Sequence, residues 1–213
     1  MSCAFDLEHY GELLDAAKAG GYRFASFDRE PQAGDVLLRH DVDLSLGAAL
    51  RLAELEAGSE AAATYFLMTR SVFYNLASPE GERAIERLRE LGHGVGLHAL
   101  HPHLDLDARF DPVVAWHNPD PEFMSEPIDG AVNAMQAGYF DPGHYRSDSN
   151  QHWRSGCPHE QLAAGSFEWL QLLTHPEIWA YPGETMRETM VSMLDAERDR
   201  NVERLHADRI DLT

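Results

Sequence analysis

Val36-Leu37-Leu38-Arg39-His40-Asp41-Val42-Asp43 is the stretch on which the fold turns. Its apolar start reads as a buried strand, and its end carries two carboxylates one residue apart. Such a pair resists burial unless a cation or hydrogen bonds compensate. Three later stretches end in the same way. Gly94-Val95-Gly96-Leu97 runs into His98, Pro112-Val113-Val114-Ala115-Trp116 into His117, and Phe167 to Thr174 into His175. Four predicted strands thus deliver a metal- or proton-handling group at the carboxyl end, where parallel α/β sheets and barrels build their sites.

Outward from that stretch, the order is strand, helix, strand, helix, strand. Asp6 is a predicted N-cap for a helix stopped by Gly20-Gly21, and Tyr22–Phe27 a short strand or extended arm. Ser45 caps a helix to about Ala57, and Ala61–Met68 is a second buried strand. Ser78-Pro79-Glu80 opens a helix that runs to Leu91. Short connections and this alternation predict a parallel α/β sheet or barrel. Pro119–Gly130 and Gly138–Pro158 read as loops, long enough to carry function. A long helix is expected to open at Pro182 or Gly183. With no repeat or linker, residues 1–213 read as one domain.

The composition excludes several classes. A formal charge of −19 argues against nucleic acid and anionic membrane as partners, since both need a basic surface. No stretch approaches the roughly 20 apolar residues of a spanning helix, and the amino-terminal residues lack a basic, then apolar, leader. The expectation is a cytoplasmic protein with a small-molecule or sugar substrate; the oligomeric state stays open. The two cysteines, Cys3 and Cys157, form no Cys-x-x-Cys, so neither a disulfide framework nor a structural zinc cluster is expected.

Asp41 and Asp43, two apart on a strand, point to one face if the strand stays regular and diverge if it bends. One suits a metal ligand and the other a base; the ordinary alternative is a cap and an ion pair to Arg39. His98, His101 and His103 form a cluster of the kind a borderline divalent ion requires. His175, before Pro176, suits a general acid near neutral pH, and His117 before Asn118-Pro119 reads similarly. In Tyr145-Arg146-Ser147-Asp148-Ser149, Asp148 could orient an imidazole and Arg146 could hold a carboxylate base. Trp116, Tyr139, Tyr145, Trp153, Trp169 and Trp179 suit either a sugar-stacking face or the core, with Trp169 assigned to the core.

Taken in order, Leu37-Leu38-Arg39-His40-Asp41-Val42-Asp43, Gly92-His93-Gly94-Val95-Gly96-Leu97-His98, Tyr145 to Trp153 and Leu170 to Trp179 resemble the polysaccharide deacetylase superfamily (NodB homology, carbohydrate esterase 4), nearest its intracellular branch. The resemblance covers about Phe5 to Trp179. It implies a distorted (β/α) barrel of about seven strands and a divalent metal, Zn first, with Ni, Co, Fe or Mn as alternatives. It also implies Asp41 as base, Asp43 and His98 as metal ligands, His175 as general acid, Asp148 as the group orienting that acid and Arg146 as support for the base. Two departures stand out: Val42 separates aspartates that are usually adjacent, and Pro102 occupies the place of the second metal histidine. His101, His103 or His117 could replace it.

The expected activity is metal-dependent removal of an N-acyl group, acetyl first, from an amino sugar or nucleotide-linked sugar. The alternatives are hydrolysis of another C–N bond in a small metabolite, or a non-catalytic ligand-binding domain that has lost a complete triad.

Overall fold

The computed structural model describes residues 3–210. Its centre is β2 (Asp35–Val42), buried along its whole length. All strand pairs are parallel. On one side β2 is followed by β3 (Ala63–Leu67), β4 (Gly94–Ala99), β5 (Val113–Trp116) and β6 (Val132–Asn133). On the other lie β8 (Leu170–Thr174) and β7 (Tyr145–Ser147), and the two-residue β1 (Arg23–Phe24) pairs with the start of β2. In register, His40 of β2 stands beside Tyr65 of β3 and Thr174 of β8.

The period-two alternation of side chains divides each strand between two layers. Val36, Leu38 and Val42 join Tyr65, Leu67, Val95, Leu97, Leu170 and Leu172 in the main core, under the helices. Leu37, Phe66, Val113 and Ala115 face the concave side, with Phe27, Ala134 and Tyr139. Gly96 makes room there, because a Cβ on it would stand 2.6 Å from the Phe66 ring. Gln171 spans the concavity: its Nε2 donates to the carbonyls of Ala134 (2.9 Å) and Tyr139 (2.6 Å), beyond β6. β6 and β7 do not pair, so the sheet curls into a half-barrel rather than a closed one.

Among the described residues six α-helices accompany the sheet: α1 (Leu7–Ala19), α2 (Leu46–Gly58), α3 (Pro79–Glu90), α4 (His159–Ala163), α5 (Pro176–Ala180) and α6 (Met186–Ala207). The first three begin at the predicted caps, Asp6, Ser45 and Ser78. α6 opens later than expected, at Thr185, whose hydroxyl and the Glu188 carboxylate form a capping box. β8 starts at Leu170, not Phe167. The backbone of Phe167 is held instead by the Tyr22 hydroxyl, which accepts from its N–H at 2.7 Å and donates to its carbonyl at 2.9 Å. The region 138–158 is less of a loop than expected, since it contains the three residues of β7.

One polar group of β2 is turned to the helical side. His40 lies 2.7 Å from Glu56 through Nε2 and 2.7 Å from the Thr174 hydroxyl through Nδ1. The hydroxyls of Tyr10 and Tyr65 each donate to Glu56 at 2.6 Å. This buried network lies behind the sheet and never meets Asp41.

Candidate metal centre and acid–base site

Arg39 and Asp41 project from β2 into the concave side. The guanidinium is 1% exposed and clasps Asp41 with two bonds, Nε to Oδ1 at 2.8 Å and Nη2 to Oδ2 at 2.6 Å. Nη1 also donates to Gln171 Oε1 at 3.3 Å. Burial alone would raise the Asp41 carboxyl, but the Arg39 charge, aided by His98, outweighs it and holds the group below the usual carboxylate range.

Asp43, one step past the strand, diverges toward β4 and β5. Its Oδ1 lies 3.1 Å from His98 Nε2 and 3.2 Å from His117 Nδ1, and those two nitrogens are 3.1 Å apart. Ligands about 2.0 Å from a tetrahedral ion stand about 3.3 Å from one another, so this triangle has the dimensions of one face of a zinc-type site. Three observations on donor chemistry agree. His98 Nδ1 lies 2.9 Å from the Ala115 carbonyl and donates to it, which leaves Nε2 as a free lone pair. Asp43 Oδ1 is buried and has no hydrogen-bond partner, while His98 Nε2 and His117 Nδ1, both beside it, face one another at 3.1 Å, an arrangement of three donor atoms that a cation would satisfy. Burial opposes ionisation of Asp43, but its contacts with His117 and His98 carry its pKa well down. The residues therefore fit a divalent cation. His117 is raised by its contact with Asp43. Ligation through its Nδ1 needs the proton on Nε2; the Asn118 amide nitrogen, 3.3 Å from Nε2, is a donor, so that amide must turn to present Oδ1 when a cation binds.

The opposite wall carries His175, the residue after β8. Asp148 is fully buried behind it and accepts three bonds: from His175 Nδ1 at 2.7 Å, from the His175 backbone N–H at 3.0 Å and from Trp179 Nε1 at 2.7 Å. Burial lowers the imidazole pKa, but the Asp148 charge outweighs it, and the group is pushed up to about 10. Arg39, Asp41, Asp43, His98, His117 and His175 all line one cavity of about 630 Å³. Comparison of the chain with protein-family models, curated proteins and solved structures gives no match.

Two expected residues stand elsewhere. Arg146 alternates with Tyr145 and Ser147 on β7 and so points to the outer side. It lies over the Phe167 ring at 4.9 Å and donates to the Tyr145 carbonyl at 2.8 Å. Arg39 occupies the position beside Asp41 that Arg146 was expected to take. His103 is exposed in the turn after β4 and does not line the cavity, and His101 stacks on Phe123 at 4.3 Å. Of the three candidates for the third ligand, only His117 joins Asp43 and His98.

Among the aromatic candidates, Trp116 and Tyr145 line the cavity, and the indole N–H of Trp116 has no partner. Tyr139, Trp153 and Trp179 are buried. Trp169 is half-buried; it packs against the concave-side core cluster and lies face to face with His144 at 4.5 Å.

Glu177 was not anticipated. It sits in the first turn of α5, two residues after His175, 2% exposed, with Oε2 unpartnered at the cavity wall. Burial pushes its carboxyl up to about 8, against the attraction of His175. An acid two residues beyond a strand-end histidine was the signal available in the sequence.

Proposed function

We propose that this chain is a metal-dependent hydrolase that removes an N-acyl group, acetyl in the first instance, from an amino sugar. The observation that carries the reading is the placement of two proton-handling groups, Asp41 and the Asp148–His175 pair, in one cavity with the Asp43–His98–His117 triangle. A divalent ion held by that triangle would polarise the amide carbonyl and lower the pKa of a water.

The chain's own residues supply the rest. Asp41, kept ionised by Arg39, accepts the proton of the attacking water as its oxygen bonds to the carbonyl carbon. His175, charged near neutral pH, gives its Nε2 proton to the departing nitrogen as the C–N bond breaks, so the amine leaves neutral. Asp148 fixes the imidazole's orientation through Nδ1 and keeps it protonated. The products are a carboxylic acid and an amine. The resemblance to polysaccharide deacetylases supports the same assignment, with Arg39 in place of Arg146 and His117 as the second histidine.

The non-catalytic alternative has Pro102 as its main support, and the position of His117 beside Asp43 and His98 speaks for the catalytic reading instead. The charge distribution favours an uncharged N-acyl sugar over a nucleotide-linked one. Arg39 is committed to Asp41, Arg146 is on the outer side, and Arg70 at the cavity edge pairs with Asp105 at 2.6 Å.

The test is release of free amine and acetate from a panel of N-acetyl amino sugars by Zn-, Co- and Ni-loaded protein, with Asp41→Asn and His98→Ala alongside. The reading expects turnover in wild type and its loss in both variants. Turnover confined to non-sugar amides would support the wider C–N hydrolase reading. Metal-loaded protein that releases neither product from any amide would overturn both.

A further inference from the structure

The chain's two cysteines come together at a second place. Cys3 precedes α1, Cys157 precedes α4, and His9 lies in the first turn of α1. Their two sulfurs and one imidazole nitrogen all lie within 4.8 Å of one another. His9 Nε2 is 3.3 Å from Cys157 Sγ, across 148 positions of sequence. In a tetrahedral zinc site, sulfur and nitrogen ligands stand about 3.6–3.8 Å apart, and the cluster has that scale.

The surroundings are those of ligands rather than of packed thiols. Glu12, three positions along the helix, meets His9 Nδ1 at 2.6 Å. The carboxylate fixes the tautomer and aims Nε2 at the sulfurs, as in carboxylate–histidine–metal arrangements. The Trp153 indole N–H points at Cys3 Sγ from 3.2 Å. Both cysteines are free thiols, and a cation binds them as thiolates by displacing their protons. The cluster opens on a cavity of about 440 Å³ whose other lining groups include the carboxylates of Asp6, Glu8, Glu12 and Glu160.

We infer that Cys3, His9 and Cys157 bind a divalent cation of borderline softness, zinc first, at a site separate from the Asp43–His98–His117 centre. Two thiolates and an imidazole select such ions over Mg²⁺ or Ca²⁺. The His159 ring lies 5.8 Å from that of His9 and lines the same cavity. The ion would tie the segment before α1 to the base of α4. His9 also stacks on Trp179 at 6.4 Å, so the tie lies against the residue that holds Asp148.

The probe is Co²⁺, added to the reduced, chelator-treated full chain and followed by thiolate-to-cobalt charge-transfer absorption. The expected result is a band that saturates at one Co²⁺ per chain, is lost in Cys3→Ser and Cys157→Ser, and persists in His98→Ala. His9→Gln should weaken Co²⁺ binding at this band tenfold or more while leaving the far-ultraviolet circular dichroism unchanged. A wild-type chain with no thiolate band would overturn the inference. So would a band that survives Cys157→Ser, or a Cys3–Cys157 disulfide that persists under reductant.

Discussion

Arg39 and Asp41, two positions apart on the central strand, form a bidentate ion pair inside the half-barrel, with the guanidinium 1% and the aspartate 4% exposed. Neither charge reaches bulk water, so each depends on the other. Replacing Arg39 by Met leaves Asp41 buried and unpaired, which should cost about 3–5 kcal/mol near pH 7. The sign follows from the Asp41 shift: its carboxyl lies lower in the folded chain than its reference of 3.8. Its contribution is therefore present above the unfolded pKa and lost as pH falls through the folded one. Urea unfolding near neutrality and at low pH should show Arg39→Met far weaker than wild type at the first and nearly equal at the second. An equal deficit at both would refute the charge argument.

The His175–Asp148 pair makes a prediction about alkaline pH. With the imidazole pushed up to about 10, its loss of a proton should not limit turnover until that region. Asp148→Asn removes the charge that raises it, so the alkaline limb of kcat should move down toward the ordinary value of 6.5. His175→Gln should lower kcat by about 10²–10⁴-fold, the usual weight of a general acid. A pH–rate profile of metal-loaded wild type and Asp148→Asn decides this, and coincident alkaline limbs would remove His175 as the acid.

At the cation site the histidines should separate cleanly. His117→Ala or His98→Ala should abolish turnover and lower bound metal by about one equivalent, while His103→Ala should change neither. Elemental analysis in a Cys157→Ser background reads this centre alone. Retention of metal in His117→Ala together with its loss in His103→Ala would mean that the exposed turn after β4 folds inward when a cation binds.

The pattern of success and failure in the sequence has a physical basis. Apolar runs that end in Asp or His can be read locally, and Asp41, Asp43, His98, His117 and His175 do gather at strand ends. The choice of Arg39 over Arg146 was also local: position 39 shares a face with 41, whereas 146 shares one with neither 145 nor 147. The choice of His117 over His103 depends on the β4–β5 register, which sets His98 beside Ala115, and no local pattern encodes it. β7 is too short for periodicity to appear. The meeting of Cys3 with Cys157 is invisible to spacing rules, since it depends on how α1 and α4 pack.

Glu177 offers a test of whether the site costs the fold stability. Its carboxyl rises from 4.5 to about 8, because burial disfavours the charge and Oε2 has no partner. The folded chain therefore holds a proton that the unfolded chain releases, and metal-free protein should lose stability as pH climbs from about 4.5 to about 8. Glu177→Gln keeps the shape and removes the titration. It should stabilise metal-free protein by on the order of 1–3 kcal/mol near pH 8 and change little near pH 5. If Glu177 contacts substrate, the same variant should raise KM or lower kcat while the fold gains, the trade expected of a functional residue in an unfavourable place. Urea unfolding at the two pH values, with turnover at each, measures both effects. A variant less stable near pH 8 would show that the Glu177 carboxylate has a structural partner, and the argument that its burial costs stability would fall.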